Sequence, residues 1–244
     1  METDARRLCV FFEALGTRYA IEAVRVLEVA WPRPGEETLH GNLSLRDLPA
    51  VLGGAVGEPL NTALVLDSSP TLAVRVGTVE GVFDSSSLPT SSLSRRLIPL
   101  LSPAVRGTLL RAERLYFELD ADAVSRGLPR HTRRPDLVTV DPVVPSLVFD
   151  SGDQRFGVPL PMVTQVVAQD ASFNRAPGGG AFVGVANYRG AVFPVFSLTG
   201  VETEPLIVLL ELPDGGVGLC ARRADGVTQA LGDVKVLDLT RMFS

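Results

Sequence analysis

Apolar residues in this chain come in short alternating runs broken by glycine and polar pairs. The run Leu8-Cys9-Val10-Phe11-Phe12 meets the turn signal Leu15-Gly16-Thr17, and the alternation resumes at Tyr19-Ala20-Ile21. Such a pattern on both sides of a tight turn predicts a β-hairpin. Beyond it, apolar residues fall at Ala23, Val26 and Val29, a spacing that suits a short helical turn or an irregular strand. Later come Leu43-Ser44-Leu45-Arg46-Asp47-Leu48, followed by Gly53, then a second predicted hairpin formed by Ala63–Leu66 and Leu72–Val76. Glu80-Gly81-Val82 and Tyr116-Phe117-Glu118-Leu119-Asp120 close the series.

The series then repeats. Leu8–Ala30 lies without gaps over Pro145–Val167, at an offset of 137, and pairs Phe12 with Phe149, Arg18 with Arg155, Val26 with Val163 and Val29 with Val166. The second copy has its turn at Gly152-Asp153-Gln154 and its three-residue apolar spacing at Leu160, Val163 and Val166. Phe193–Leu198 with Gly200 matches Leu43–Leu48 with Gly53. Leu206–Leu210, a turn at Pro213–Gly216 and Val217–Ala221 repeat the second hairpin, and Asp225-Gly226-Val227 and Val236–Leu239 repeat the closing segments. Element order is kept throughout, which predicts two domains of one design.

Composition supports many short strands: 45% hydrophobic residues give ample core, while 23 Gly and 18 Pro in 244 residues demand frequent turns. No apolar stretch is long enough for a membrane span and no signal-peptide core stands at the start, which implies a soluble, cytoplasmic protein without membrane insertion. A formal charge of −5 argues against nucleic acid as partner. Cys9 and Cys220 sit in apolar runs and read as buried thiols. His40 and His131 are too isolated for a metal site or a catalytic triad, so no catalytic residue, metal or cofactor is expected.

The predicted boundaries are 6–125 for the first domain and 144–244 for the second. Between them, 126–143 carries Arg126, Arg130, Arg133 and Arg134 with Pro129, Pro135 and Pro142, and reads as a stiff, solvated linker. Residues 84–96 are serine-rich and read as a surface loop. Pro177-Gly178-Gly179-Gly180 lacks the Lys-Ser/Thr of a phosphate cradle and reads as a flexible loop.

Phe182-Val183-Gly184-Val185-Ala186-Asn187-Tyr188-Arg189-Gly190-Ala191-Val192-Phe193-Pro194-Val195-Phe196-Ser197-Leu198 resembles the Gly-Val-x-Asn-x-Arg-Gly-x-Val-x-Pro-Val-x-Asp-Leu signature of the CheW family, the coupling proteins of bacterial chemosensory arrays. Ser197 stands where the family has Asp. With the flanking hairpin, Gly-Val and Leu-Asp-Leu segments, the resemblance spans about 145–244, and more weakly the first copy. It implies an all-β chain of two CheW-like domains, each a pair of five-stranded SH3-like β-barrels. It also implies a non-catalytic adaptor bridging the regulatory domain of a CheA-type histidine kinase and a chemoreceptor cytoplasmic tip. Such an adaptor is recruited to membrane-associated arrays. The alternative is a diverged module serving a motility or polarity regulator.

The resemblance further implies partner-binding residues, distributed unequally. Asn187, Tyr188, Arg189 and Gly190 are intact in the second copy, whereas the first has only Leu39-His40-Gly41. Val26-Leu27-Glu28-Val29 resembles the family's receptor-facing Val-x-Glu-Ile/Val segment, while the second copy has Gln165 in place of the glutamate, after Val163. Asn187 and Gly190 are expected to shape the turn through left-handed backbone, and Arg189 to offer a forked donor. Val26, Val29, Val163 and Val166 are expected in core or groove lining.

Overall fold

The computed structural model of the chain describes residues 6–54, 57, 60–92, 100–127, 136–140, 144–170, 172–176, 181–201, 203–228 and 233–243. It divides into two units, Met1–His131 with Asn174–Gly178, and Thr132–Phe173 with Gly179–Ser244. Pro177–Gly180 and much of the arginine- and proline-bearing segment, 128–135 and 141–143, lie outside the described residues.

The first unit begins with β1 (Leu8–Ala14) and β2 (Thr17–Glu22), whose register Ala14↔Thr17 leaves Leu15-Gly16 as a two-residue turn. Both turn residues have positive φ, 50° and 76°, the combination whose twist matches that of the flanking strands. The three-residue apolar spacing resolves into both predicted options in sequence: a 3-10 turn at Ala23–Arg25, then β3 (Val26–Ala30). The remaining elements are β4 (Thr38–Leu39), β5 (Leu43–Asp47), α1 (Leu48–Val51), β6 (Thr62–Leu66), β7 (Leu72–Val76) and β8 (Thr78–Asp84). They continue with β9 (Thr90–Ser92), β10 (Val105–Arg111), β11 (Arg114–Leu119) and α2 (Ala121–Arg126). One sheet has the order β8-β1-β2-β11-β10-β9 and the other β3-β6-β7-β5-β4.

The second half of the chain runs through β12 (Ser146–Ser151), β13 (Gln154–Pro159), a 3-10 turn at Leu160–Met162, β14 (Val163–Ala168), β15 (Phe173–Arg175, of which Asn174 and Arg175 group with the first unit), β16 (Phe182–Tyr188) and β17 (Ala191–Phe196). It ends with β18 (Leu206–Leu210), β19 (Val217–Ala221), β20 (Arg223–Thr228), β21 (Lys235–Val236) and α3 (Leu239–Met242). Its sheets have the orders β20-β12-β13-β21 and β14-β18-β19-β17-β16-β15. Corresponding strands share their register: Leu45 faces Ala73 across a parallel pair as Val195 faces Gly218, which bears out the repeat inferred from apolar placement.

The architecture is all-β, two sheets to each unit, in keeping with SH3-like barrels. Among the described residues the sheets have six and five strands in the first unit and four and six in the second. One added strand, β9, falls in the serine-rich segment expected to be loop, where Thr90–Ser92 pairs with Gly107–Leu109. An outer strand needs one backbone partner and no apolar face, so a polar run qualifies. Likewise Thr139, within the expected linker, bridges Leu237, with Val140 N donating to Val236 O at 2.9 Å.

Each sheet curls over its own apolar cluster. Cys9, Phe11, Ala20, Leu109 and Tyr116 fill one in the first unit, and Ala30, Leu39, Leu45, Ala63, Val65 and Ala73 fill the other. In the second unit Phe173, Val183, Ala186, Phe193, Val195, Ile207, Leu209 and Cys220 form the main cluster. Both cysteines are buried thiols outside any disulfide, as their apolar settings predicted.

Candidate functional site: turn tips and outer strands

The Asn187–Gly190 motif sits at the tip of the β16–β17 hairpin. Pairing of Asn187 with Val192 and of Tyr188 with Ala191 leaves Arg189-Gly190 as the two-residue loop. Their φ values are 52° and 85°, so this is a type I′ turn. The expectation that Asn187 supplies left-handed backbone is corrected, because the register places Asn187 in the strand and Arg189 in the first loop position. Asn187 serves the turn through its side chain instead, Oδ1 accepting from Gly190 N at 3.3 Å. Left-handed backbone costs a non-glycine residue about 1 kcal/mol, yet it is an arginine that occupies the tip.

Arg189 is exposed, and its guanidinium stands over the Tyr188 ring at 5.1 Å from the centroid. Among the described residues it makes no hydrogen bond to its own loop, so its donors are open to solvent. Tyr188 is half-buried against the main apolar cluster, as is Val167 of β14. The ring thus anchors the turn to the sheet and supports the cation by its π face.

The other sequence-predicted positions lie on outer strands. In β14, Val163 and Val166 are half-buried, between core and groove, and Gln165 is exposed. In β3, Val26 and Val29 are half-buried and Glu28 is exposed. Both strands carry the same bulge, between Val26 and Glu28 and between Val163 and Gln165. The extra residue is Leu27 in one unit, 60% exposed, and Thr164 in the other. A bulge re-aims side chains and blunts an outer strand against further pairing.

The structure gives His40, in the Leu39-His40-Gly41 that stands for the motif in the first copy, a defined position. His40 and Gly41 have φ of 53° and 76°, nearly the values of Arg189 and Gly190, so His40 occupies the first unit's equivalent of the arginine tip. One more residue, Asn42, lengthens this loop, since Leu39 pairs with Leu43. His40 Nε2 lies 2.9 Å from Glu28 Oε2. Because β3 and the β4–β5 hairpin occupy opposite margins of their sheet, this contact spans the curl. The glutamate of the first unit therefore faces its own turn tip.

The first unit also holds an alternating ring of four charges. Arg7 Nη2 and Arg106 Nε both bond Glu118 Oε1, the latter at 2.5 Å, and Arg7 Nε and Arg106 Nη2 bond Glu22 Oε1 at 3.1 and 2.6 Å. Burial pushes the Glu22 carboxyl up, but hydrogen bonds and charge from Arg106 and Arg7 outweigh it and hold the group below its ordinary value. Repeat positions in the second unit carry Val144 for Arg7 and Pro159 for Glu22, so the ring belongs to one copy alone.

Residues 145–232 match the model of the CheW-like domain. The match takes in Val163, Gln165 and Asn187–Gly190 and stops short of Val26, Glu28 and His40. Among solved structures, the chain is similar to the scaffolding protein TtCheW from Thermoanaerobacter tengcongensis. Identity is 23%, 35% of this chain and 64% of that one are covered, and the TM-score is 0.31. The alignment thus spans less than two thirds of that protein. No curated protein matches the chain. Among the described residues, no helix is long and apolar enough to cross a membrane. The second unit therefore presents, on one sheet, an open arginine at a rigid turn and a bulged outer strand, an arrangement suited to protein recognition.

Proposed function

We propose that the chain is a non-catalytic adaptor of chemosensory signalling, coupling the regulatory domain of a CheA-type histidine kinase to the cytoplasmic tip of a chemoreceptor. The observation that carries this reading is Arg189, held at a type I′ turn of a CheW-like domain with its fork unused. A planar, permanently charged donor at a rigid tip suits a partner carboxylate or carbonyl. The first unit, with its matching strand order, serves as a second module of the same design, and linkage of two modules raises the effective concentration of the second contact.

The two units do not play equal parts. In the second, Arg189 is free to bind. In the first, Glu28 is engaged by His40, and the exposed apolar side chains Val24, Leu27 and Trp31, 78%, 60% and 75% exposed, dominate the same strand and its ends. This difference favours distinct partners for the two modules.

The test is capture of purified kinase regulatory domain and receptor tip by the full chain, with Arg189→Ala run in parallel. Loss of a charged hydrogen bond weakens binding by about 1.5–3 kcal/mol, with the melting temperature unchanged. Equal capture by both proteins would remove Arg189 from the interface, and capture of neither partner by the wild-type chain would refute the coupling role.

A further inference from the structure

The four-stranded sheet of the second unit carries arginines that its fold does not require. Arg155 on β13, Arg222 just before β20 and Arg223 on β20 converge on Asp150 of β12 and Asp225 of β20. Arg223 Nε lies 2.6 Å from Asp225 Oδ1, and its Nη2 lies 3.2 Å from Asp150 Oδ2. Arg155 bonds Asp225 through Nη2 and approaches Asp150 through Nε at 3.6 Å. Among the described residues, Arg222 has one distant ionic contact, 3.8 Å to Asp150 Oδ2. The carboxylates lie inward, with side chains 13% and 22% exposed, while the three arginine side chains are 51%, 58% and 64% exposed. Two anions thus orient three outward cations, and one positive charge is left over.

The repeat shows that strand pairing does without two of these arginines. Arg222 N donates to Asp150 O at 2.8 Å, and in the first unit Gly77 N donates to Glu13 O at 2.8 Å. Arg223 faces Asp150 as Thr78 faces Glu13. Both strand pairs carry the following bulge, which leaves Asp225 and Glu80 as the extra residues. The same backbone forms with glycine and threonine in one unit and with two arginines in the other.

We infer that Arg155, Arg222 and Arg223 form a docking surface for an acidic peptide segment of a partner protein. Charge complementarity selects the occupant: guanidinium forks held in place by carboxylates meet further carboxylates with little loss of side-chain freedom. A nucleic acid or lipid surface demands a broad basic field, which a chain of net charge −5 does not provide. Although β20 is an outer strand, the bulge at Asp225 and the positive φ of Gly226, 117°, oppose addition of a further strand. Recognition is through side chains. This surface lies on the sheet that does not carry Arg189 and stands independently of the coupling role.

The experiment titrates the full chain into fluorescein-labelled decaglutamate and follows anisotropy at about 50 mM salt, where exposed charges are weakly screened. Arg222→Glu leaves Asp150 and Asp225 with Arg155 and Arg223, so the fold is retained, which a CD melt verifies. It weakens binding roughly tenfold, whereas Arg46→Glu, at an exposed arginine of the first unit, leaves binding unchanged. Absence of binding by the wild-type chain, an equal loss with Arg46→Glu, or displacement of the peptide by inorganic phosphate at equal charge would overturn the inference.

Discussion

Glu118→Gln tests the charge ring of the first unit. The Glu118 side chain is 8% exposed and accepts from both Arg7 and Arg106, while those arginines are 34% and 38% exposed. The substitution keeps the shape and removes the charge, so two guanidiniums face each other with Glu22 alone between them. Removing one partner of a fully buried pair costs about 3–5 kcal/mol. Both arginines reach water here and retain Glu22, which lowers the expected loss to about 2 kcal/mol. For a unit of this size that corresponds to a fall of roughly 8 °C in Tm. Urea unfolding followed by circular dichroism measures the loss, and hydrogen exchange assigns it to a unit, with β1 and β11 losing protection and β12 and β13 keeping theirs. A change below about 0.5 kcal/mol, within the range of an ordinary surface substitution, or loss of protection in the second unit alone, would refute the reasoning.

Two further perturbations follow from the same geometry. Glu22 titrates below its ordinary value of about 4.5 in the folded chain, so its stabilising contribution is complete above that pH and is lost as pH falls through the lower folded value. Acid unfolding of the first unit should therefore be less steep in Glu22→Gln, and identical acid titrations of the two proteins would exclude the link. In the second unit a Cβ on Gly218 would stand 2.8 Å from Ile207 Cγ2 and 3.0 Å from Val195 Cγ2. Since β19 lies between β18 and β17 in a packed core, Gly218→Ala should cost about 2 kcal/mol; a melting temperature equal to the wild type's would show that the core yields there.

Hairpins were legible because alternation and turn glycines act over a few residues. The Leu15-Gly16 turn and the hairpin at Pro213–Gly216 stand where the pattern put them. The repeat was legible for the same reason, since two copies of one apolar pattern bury the same positions. Strand β9 escaped notice because an outer strand of serine and threonine has no apolar period to read. The sequence sets Leu39-His40-Gly41 against the intact motif of the second copy, but only the backbone dihedrals show that His40 holds the turn-tip conformation of Arg189.

What the sequence determined by itself is the all-β class, the twofold design, the CheW-like character of the second copy and the buried state of both cysteines. The strand class, the repeat and the buried cysteines rest on local periodicity, and the CheW-like character of the second copy on the resemblance of Phe182–Leu198 to the family signature; no distant contact alters either. The tertiary structure alone decided that Arg189 and not Asn187 takes the left-handed position, because strand register sets which residues form the loop. It alone placed Glu28 against His40 and closed the ring of Arg7, Glu22, Arg106 and Glu118. It also set Arg222 and Arg223 beside Asp150. Each of these groupings joins residues far apart in the chain, and curling and pairing of strands bring them together.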